Sequence, residues 1–299
     1  MSSPSCRRIP PAPSSCRAPI VAVPEPAPKL GIIAGGGDLP VRLAAACRRQ
    51  GRPFFVLGLK GSAVARPDEG IADEWAAIGE VGRILALLRA AGCRAVVMAG
   101  NVARPDFKTL RLDWKGVRVL PRVLAGARKG DDNLLKALVQ IFEDEGFAVA
   151  GADQVLDELL LPAGPLGCLG LGPGQEGDLA RALQVVEALG RVDVGQGAVV
   201  AETEVLAIEA AEGTDRMLAR CAELRAGWTA RAGLLLKLPK HGQERRVDLP
   251  TIGVATVEGA ARAGLAGIVG AAGATLVVDR AAVAARADEL GLFVVGLQR

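Results

Sequence analysis

The sequence predicts an α/β protein of two α/β domains, the first Rossmann-like with a parallel sheet, the second a distinct mixed α/β domain. Three observations carry this expectation. From residue 29 onward, apolar runs of strand length alternate with runs whose apolar residues recur at helical spacing. The first apolar run ends in three consecutive glycines and restarts as a helix. Half of the 299 residues are apolar and the charges nearly cancel at a net +3, so the chain has material for one large core or two modest ones.

Residues 1–28 hold eight prolines with serines and three arginines but no apolar signal-peptide core. They read as a disordered extension or a misplaced start codon, and as dispensable. The first domain, 29–160, runs "LGIIA" as a strand, a helix to about Arg49, "PFFVLGL", the helical "GEVGRILALLRAAG" and the strand "RAVVMAG". Parallel strands joined by helical crossovers place ligands at their carboxyl ends, so Gly35–Gly37 and the loop "GNVARPDF" (Gly100–Phe107) belong on one edge. Between Leu112 and Gly146 the pattern turns helical, with Asp-Asp-Asn in "KGDDNLLKALVQIFEDEGF" able to cap a helix, and "FAVAGADQVL" reads as strand-like. The Gly/Pro/Leu stretch 161–174 has little periodicity and is expected to be a linker. The second domain, 175–299, resumes with helix 176–189, strands near 198–208, helix 214–225, "AGLLLKL", helix 254–263, "ATLVVD", helix 281–289 and "LFVVGL".

Several function classes fall away on composition. Basic residues are spread along the chain, tyrosine is absent and aromatic residues are 3%, so no stacking platform for nucleic acid is expected. No apolar run approaches the roughly 20 residues of a membrane span. The six cysteines (6, 16, 47, 93, 168, 221) form no CxxC pair, which fits a reducing cytosol better than a disulfide scaffold. The single histidine, His241, is expected to be exposed, and a catalytic metal would have to be held by oxygen.

Gly35, Gly36 and Gly37 admit two readings. Bare N–H groups at a helix N-terminus make an anion seat; equally, a tight turn needs glycine for positive φ. The spacing matches neither the dinucleotide fingerprint nor the P-loop. In the second half, polar residues gather at strand ends and helix starts. "GRVDVGQGAVV" offers Asp193 and Gln196; "AIEAAEGTDRML" offers Glu209, Thr214 and Asp215; "LLLKLPKHGQERRVDLPTIG" offers Lys237, Lys240, Arg245, Arg246, Asp248 and Thr251. Mixed carboxylates and cations suit a phosphate ester held with a hard cation. Each has a plainer reading: Asp215 as a helix cap, Lys240 and the arginines as a solvated face, Asp193 bonding its own backbone. Asp248 stands beside the "LPTIG" turn, where a carboxylate would repel phosphate unless a cation or proton lay between.

Taken together, "LGIIAGGGDLP", "GNVARPDF", "KGDDNLLKAL…FEDEGFAVAGADQVL", "GRVDVGQGAVV", "AIEAAEGTDRML", "LLLKLPKHGQERRVDLPTIG" and "GLFVVG" resemble the histidine-poor UDP-2,3-diacylglucosamine pyrophosphatases of lipid A synthesis, across about residues 29–299. The resemblance implies a Mg²⁺-dependent hydrolase that cuts UDP-2,3-diacylglucosamine to UMP and 2,3-diacylglucosamine 1-phosphate. It implies a cytoplasmic homodimer that visits the inner membrane peripherally, and a catalytic aspartate at Asp248, also the candidate metal ligand. Gly35, Gly36, Gly37, Gln196, Thr214, Asp215, Lys237 and Thr251 are the candidate substrate-binding residues, and an apolar trough for the acyl chains is expected under the Leu-rich linker. Two other classes stand beside this one: a nucleotide-sugar sensor without turnover, and a nucleotide-dependent oxidoreductase.

Overall fold

The computed structural model describes residues 27–61, 71–102, 105–107, 109–228, 230–240 and 242–298. Residues 1–26 of the expected extension, with Cys6 and Cys16, and also His241 lie outside the described residues.

Strand β1 (Leu30–Ala34) is buried along its whole length, as a strand covered on both faces must be. It pairs in parallel with β2 (Phe54–Leu59) and β4 (Ala95–Ala99). With β3 (Glu74–Ala76) and β5 (Ala148–Val149) these make a five-stranded, all-parallel sheet in the order β3-β2-β1-β4-β5. Helix α1 (Leu39–Arg49) connects β1 to β2, and α2 (Val81–Ala90) connects β3 to β4. The crossover to β5 is a helical pair, α3 (Trp114–Ala127) and α4 (Asp131–Asp144). Gly126 lets the two helices touch, since a Cβ there would stand 2.7 Å from the Asn133 carbonyl oxygen.

Two local expectations change. The Asp-Asp-Asn stretch does not cap α4 from outside: Gly130, at φ 118°, is the N-cap, and Asp131 and Asp132 occupy the first turn. There the helix dipole favours their charge. Of the strand-like run, only Ala148–Val149 is strand, and α5 (Ala152–Val155) follows it directly.

The second half contributes β6 (Gly164–Pro165), α6 (Glu176–Arg191), the hairpin β7 (Gly197–Ala201) and β8 (Glu204–Ile208), α7 (Gly213–Leu224), β9 (Leu234–Lys237), β10 (Thr251–Ile252), α8 (Val254–Arg262), β11 (Gly267–Ala271), β12 (Leu276–Val277), α9 (Arg280–Leu290) and β13 (Phe293–Leu297). Its six-stranded sheet runs β6-β13-β11-β9-β7-β8. Strands β9, β11 and β13 are parallel, whereas β6, β7 and β8 join antiparallel. The stretch 161–174, expected as a linker, enters this sheet: Leu161 is fully buried, its N–H donates to the Thr275 carbonyl at 2.8 Å, and β6 pairs with β13.

The halves share apolar packing. Leu249 and Leu276 from the second half are buried in the same cluster as Leu30, Ile32 and Ala34 of β1. At the surface, Arg42 of α1 pairs with Asp279, the N-cap of α9, at 2.6 Å. Among the described residues no helix is long and apolar enough to cross a membrane.

Candidate active site

One edge of the six-stranded sheet collects polar residues because β7 and β9 run antiparallel. Gly197 at the start of β7 stands opposite Lys237 at the end of β9. Gln196 precedes the one, Glu209 follows β8, and Thr251 opens β10.

Lys237 is 4% exposed. Its ammonium donates to Thr214 Oγ1 at 2.6 Å and to the Thr251 carbonyl at 3.2 Å, and the Thr214 hydroxyl donates to Glu209 Oε1 at 2.7 Å. Glycine makes room for Glu209: a Cβ at Gly197 would lie 2.6 Å from Glu209 Oε2, and one at Gly195 would lie 1.9 Å from the Glu209 carbonyl oxygen. Burial pulls the Lys237 pKa down, against the pull of Glu209, Asp215 and Asp248. Asp215 is exposed in the first turn of α7 and acts on Lys237 as a charge across space.

Beyond Lys237 the chain forms a loop that doubles back on Gln196. Gln243 is buried, and its amide is fixed from both ends. Its Oε1 accepts the Lys240 N–H at 2.7 Å, and its Nε2 donates to Asp248 Oδ2 at 2.5 Å and to Gln196 Oε1 at 3.3 Å. Lys240 Nζ pairs with Asp193 Oδ1 at 2.6 Å, the lysine side chain being 10% exposed. The second oxygen of Asp193 is buried without a hydrogen-bond partner among the described residues.

The loop is also gripped from the first half. Asp132 Oδ1 accepts the Glu244 N–H at 2.9 Å, while its Oδ2 pairs with Lys136 at 2.6 Å. Arg246 joins Glu244 at 2.8 Å and Glu143 of α4 at 2.7 Å. Burial pushes the Asp248 carboxyl up; Gln243 and Lys240 oppose this, and the charges of Asp132 and Asp193 add to it. For Lys240, burial pulls down, but Asp193, Asp248 and Asp131 outweigh it, so the ammonium is held charged.

The structure therefore brings Gln196, Lys237, Thr214, Thr251 and Asp248 into one neighbourhood, with Asp215 at its rim. The glycine turn belongs to the other sheet. Gly35 N–H donates to the Ala99 carbonyl at 2.8 Å, and Gly36 and Asn101 exchange backbone bonds of 2.7 Å each way. Two of the three N–H groups read as bare are thus spent on closing the turn against the loop after β4, which does place both loops on one edge as expected. Gly37, at φ 93°, supplies the left-handed residue that the turn requires. Neither Lys240 nor Asp193 is the solvated or self-bonded residue its local sequence suggested, since they pair with each other. Two participants had no local signal as site residues. Asp132 reads as a helix-end acid, and Gln243 as one polar residue in a polar loop.

Among the described residues, no three His, Cys, Asp or Glu side chains form a ready-made metal cage. Mg²⁺ is usually held by one or two carboxylates together with substrate phosphates and water. Asp193, with its unpartnered buried oxygen, and Asp248, raised by burial, are hard-oxygen donors of that kind. The residues fit a hard cation that completes its shell with other oxygen ligands.

Comparison with known proteins gives a consistent picture. The family model described as the LpxI N-terminal domain matches residues 29–159, and the one described as the LpxI C-terminal domain matches residues 162–295. A curated protein of Caulobacter vibrioides, UDP-2,3-diacylglucosamine pyrophosphatase LpxI, is 54% identical over 273 residues, 90% of this chain and 97% of that protein. Among solved structures, CobK precorrin-6A reductase covers 91% of this chain and 88% of its own at a TM-score of 0.29 and 14% identity. The biotin carboxylase subunit of pyruvate carboxylase covers 58% and 35% at a TM-score of 0.25 and 17% identity. Likenesses that distant carry no argument about activity.

Proposed function

The chain belongs to the LpxI family, and from that premise we propose that it hydrolyses the pyrophosphate bond of UDP-2,3-diacylglucosamine in lipid A biosynthesis. The products are UMP and 2,3-diacylglucosamine 1-phosphate. The observation that supports a hydrolytic site in this chain is Asp248: a largely buried carboxylate, fixed by Gln243 and flanked by Lys240 and Lys237.

Lys237 and Lys240 supply positive charge to the diphosphate in a site where burial strengthens each interaction. Gln243 occupies Oδ2 of Asp248, which leaves Oδ1 to receive a proton from water. Attack in line on phosphorus forms the new P–O bond, and the bond to the bridging oxygen breaks toward the departing phosphate. Asp248 and Asp193 are the residues that would hold Mg²⁺, which when bound neutralises charge on the phosphate oxygens. Gln196, Thr214 and Thr251 line the same edge and position substrate. The glycine turn contributes shape, its N–H groups at positions 35 and 36 being committed to backbone.

UMP release from UDP-2,3-diacylglucosamine tests the reading, with wild type and Asp248→Ala, each in Mg²⁺ and in EDTA. Turnover by wild type in Mg²⁺ alone is the expected result. Binding of the substrate by wild type with no UMP release would replace the hydrolase with a nucleotide-sugar sensor.

A further inference from the structure

Helix α3 is poorly covered for its composition. It buries only Gly116, although eleven of its fourteen residues, all but the three basic ones, are Gly, Ala, Val, Leu, Pro or Trp, and three of these face outward in a row. Trp114 is 69% exposed, Val117 is 57% exposed, and Pro121 is exposed as well. At spacings of three and four these residues share one stripe of the helix. Arg118 and Arg122 are exposed one position further round, Arg122 paired with Asp144 of α4 at 2.5 Å. Over residues 111–129 the sequence holds six basic residues and one acidic. A cleft of about 370 Å³ between α2 and α3 opens beside Trp114, with Arg83, Asp113, Arg89 and Lys115 on its walls, the last two paired with Glu145 at 2.5 Å each.

We propose that the α3 face, centred on Trp114, Val117, Arg118 and Arg122, docks the protein on an anionic lipid surface. A tryptophan beside exposed aliphatic residues, flanked by arginines, is the chemistry of an interfacial helix. The excess of basic over acidic residues along 111–129 selects a surface rich in phosphate headgroups. The placement has a purpose if the substrate is the diacylated lipid proposed above, on which this inference rests. Helix α4 follows α3 after three residues and carries Asp132 to the Asp248 loop. The docking face and the site are thus joined by one helical hairpin.

The test is co-sedimentation of the full chain, without substrate, with vesicles of phosphatidylethanolamine and phosphatidylglycerol and with vesicles of phosphatidylcholine. Wild type should bind the anionic vesicles, lose binding as salt rises, and bind the neutral ones at least about fivefold less. Trp114→Ala and the pair Arg118→Glu, Arg122→Glu should each weaken anionic binding about tenfold or more. UMP release from detergent-dispersed substrate should be unchanged in both. The proposal is overturned if wild type ignores anionic vesicles or if the variants bind as well as wild type. It is equally overturned if wild type ignores vesicles while the variants change its sedimentation coefficient, for the face then belongs to a second copy. A wild type that binds vesicles but never releases UMP would count against the hydrolase reading and leave the docking face standing.

Discussion

Gln243 donates its amide N–H to Oδ2 of Asp248 at 2.5 Å, and the same amide is held in orientation by the backbone N–H of Lys240 at 2.7 Å. The carboxylate is therefore aimed by a neutral donor, with Lys240 supplying charge nearby through its pair with Asp193.

Replacing Asp248 separates chemistry from stability. Asp248→Asn should lower UMP release by about 10³-fold or more, the scale of losing a central catalytic group. Its folded pKa is raised by burial, so the stability of the neutral form is present below the unfolded value of about 3.9 and is lost as pH rises through the folded value. The variant's melting temperature in EDTA should accordingly exceed that of wild type at neutral pH, and the gap should close toward pH 4. Paired pH-dependent melting curves give the answer; a gap that widens in acid would contradict it.

Gln243→Ala removes the donor that lowers the Asp248 pKa. A hydrogen bond to the carboxylate favours its ionised form, so losing it raises the Asp248 pKa further. The acidic limb of kcat/KM should move to higher pH. An unchanged limb with a lower plateau would assign Gln243 to packing alone.

The ion pairs of Arg246 set the acid tolerance of the loop. Hydrogen bonding to Arg246 holds the Glu244 carboxyl below its ordinary range, so the pair's stability is present above the unfolded value of about 4.3 and is lost as pH falls through the depressed one. Arg246→Met should raise the pH midpoint of acid unfolding, followed by circular dichroism, and have little effect on the melting temperature difference measured below that midpoint.

Gly130 sits at φ 118°, and a Cβ there would lie 1.9 Å from Asp193 Oδ2. Gly130→Ala should cost about 1–3 kcal/mol in strain and also dislodge Asp193 from Lys240, so turnover should fall. Gly146→Ala is the matched control: its φ is 87° and a Cβ meets nothing within 4 Å. Urea unfolding and UMP release on both variants distinguish backbone strain from loss of the pair.

Much of this was readable along the chain, and the misses have physical causes. Buried strands such as "LGIIA" and "LLLK" announce themselves by continuous apolar runs. Strand β11, central in the second sheet, did not, because Gly267 and Gly270 dilute its signal; they are there because the Phe293 ring, Leu161 and Thr275 occupy the space a Cβ would need. The candidate residues after β9 clustered as expected, since strand ends of one sheet edge converge. Asp132 was invisible as a site residue because its partner, the Glu244 N–H, lies 112 positions away. The glycine turn misled for the opposite reason, its local pattern being right and its N–H groups already taken by Ala99 and Asn101.

Leu249 follows Asp248 directly and is buried among Leu30, Ile32 and Ala34. The residue assigned to the chemistry is thus moored, one position on, inside the core of the other half. For inheritance this means that neither half can be traded alone. A recombined gene joining the second half to a foreign first half would keep the aspartate and lose the socket that seats its neighbour, so selection must act on the two cores as a single unit.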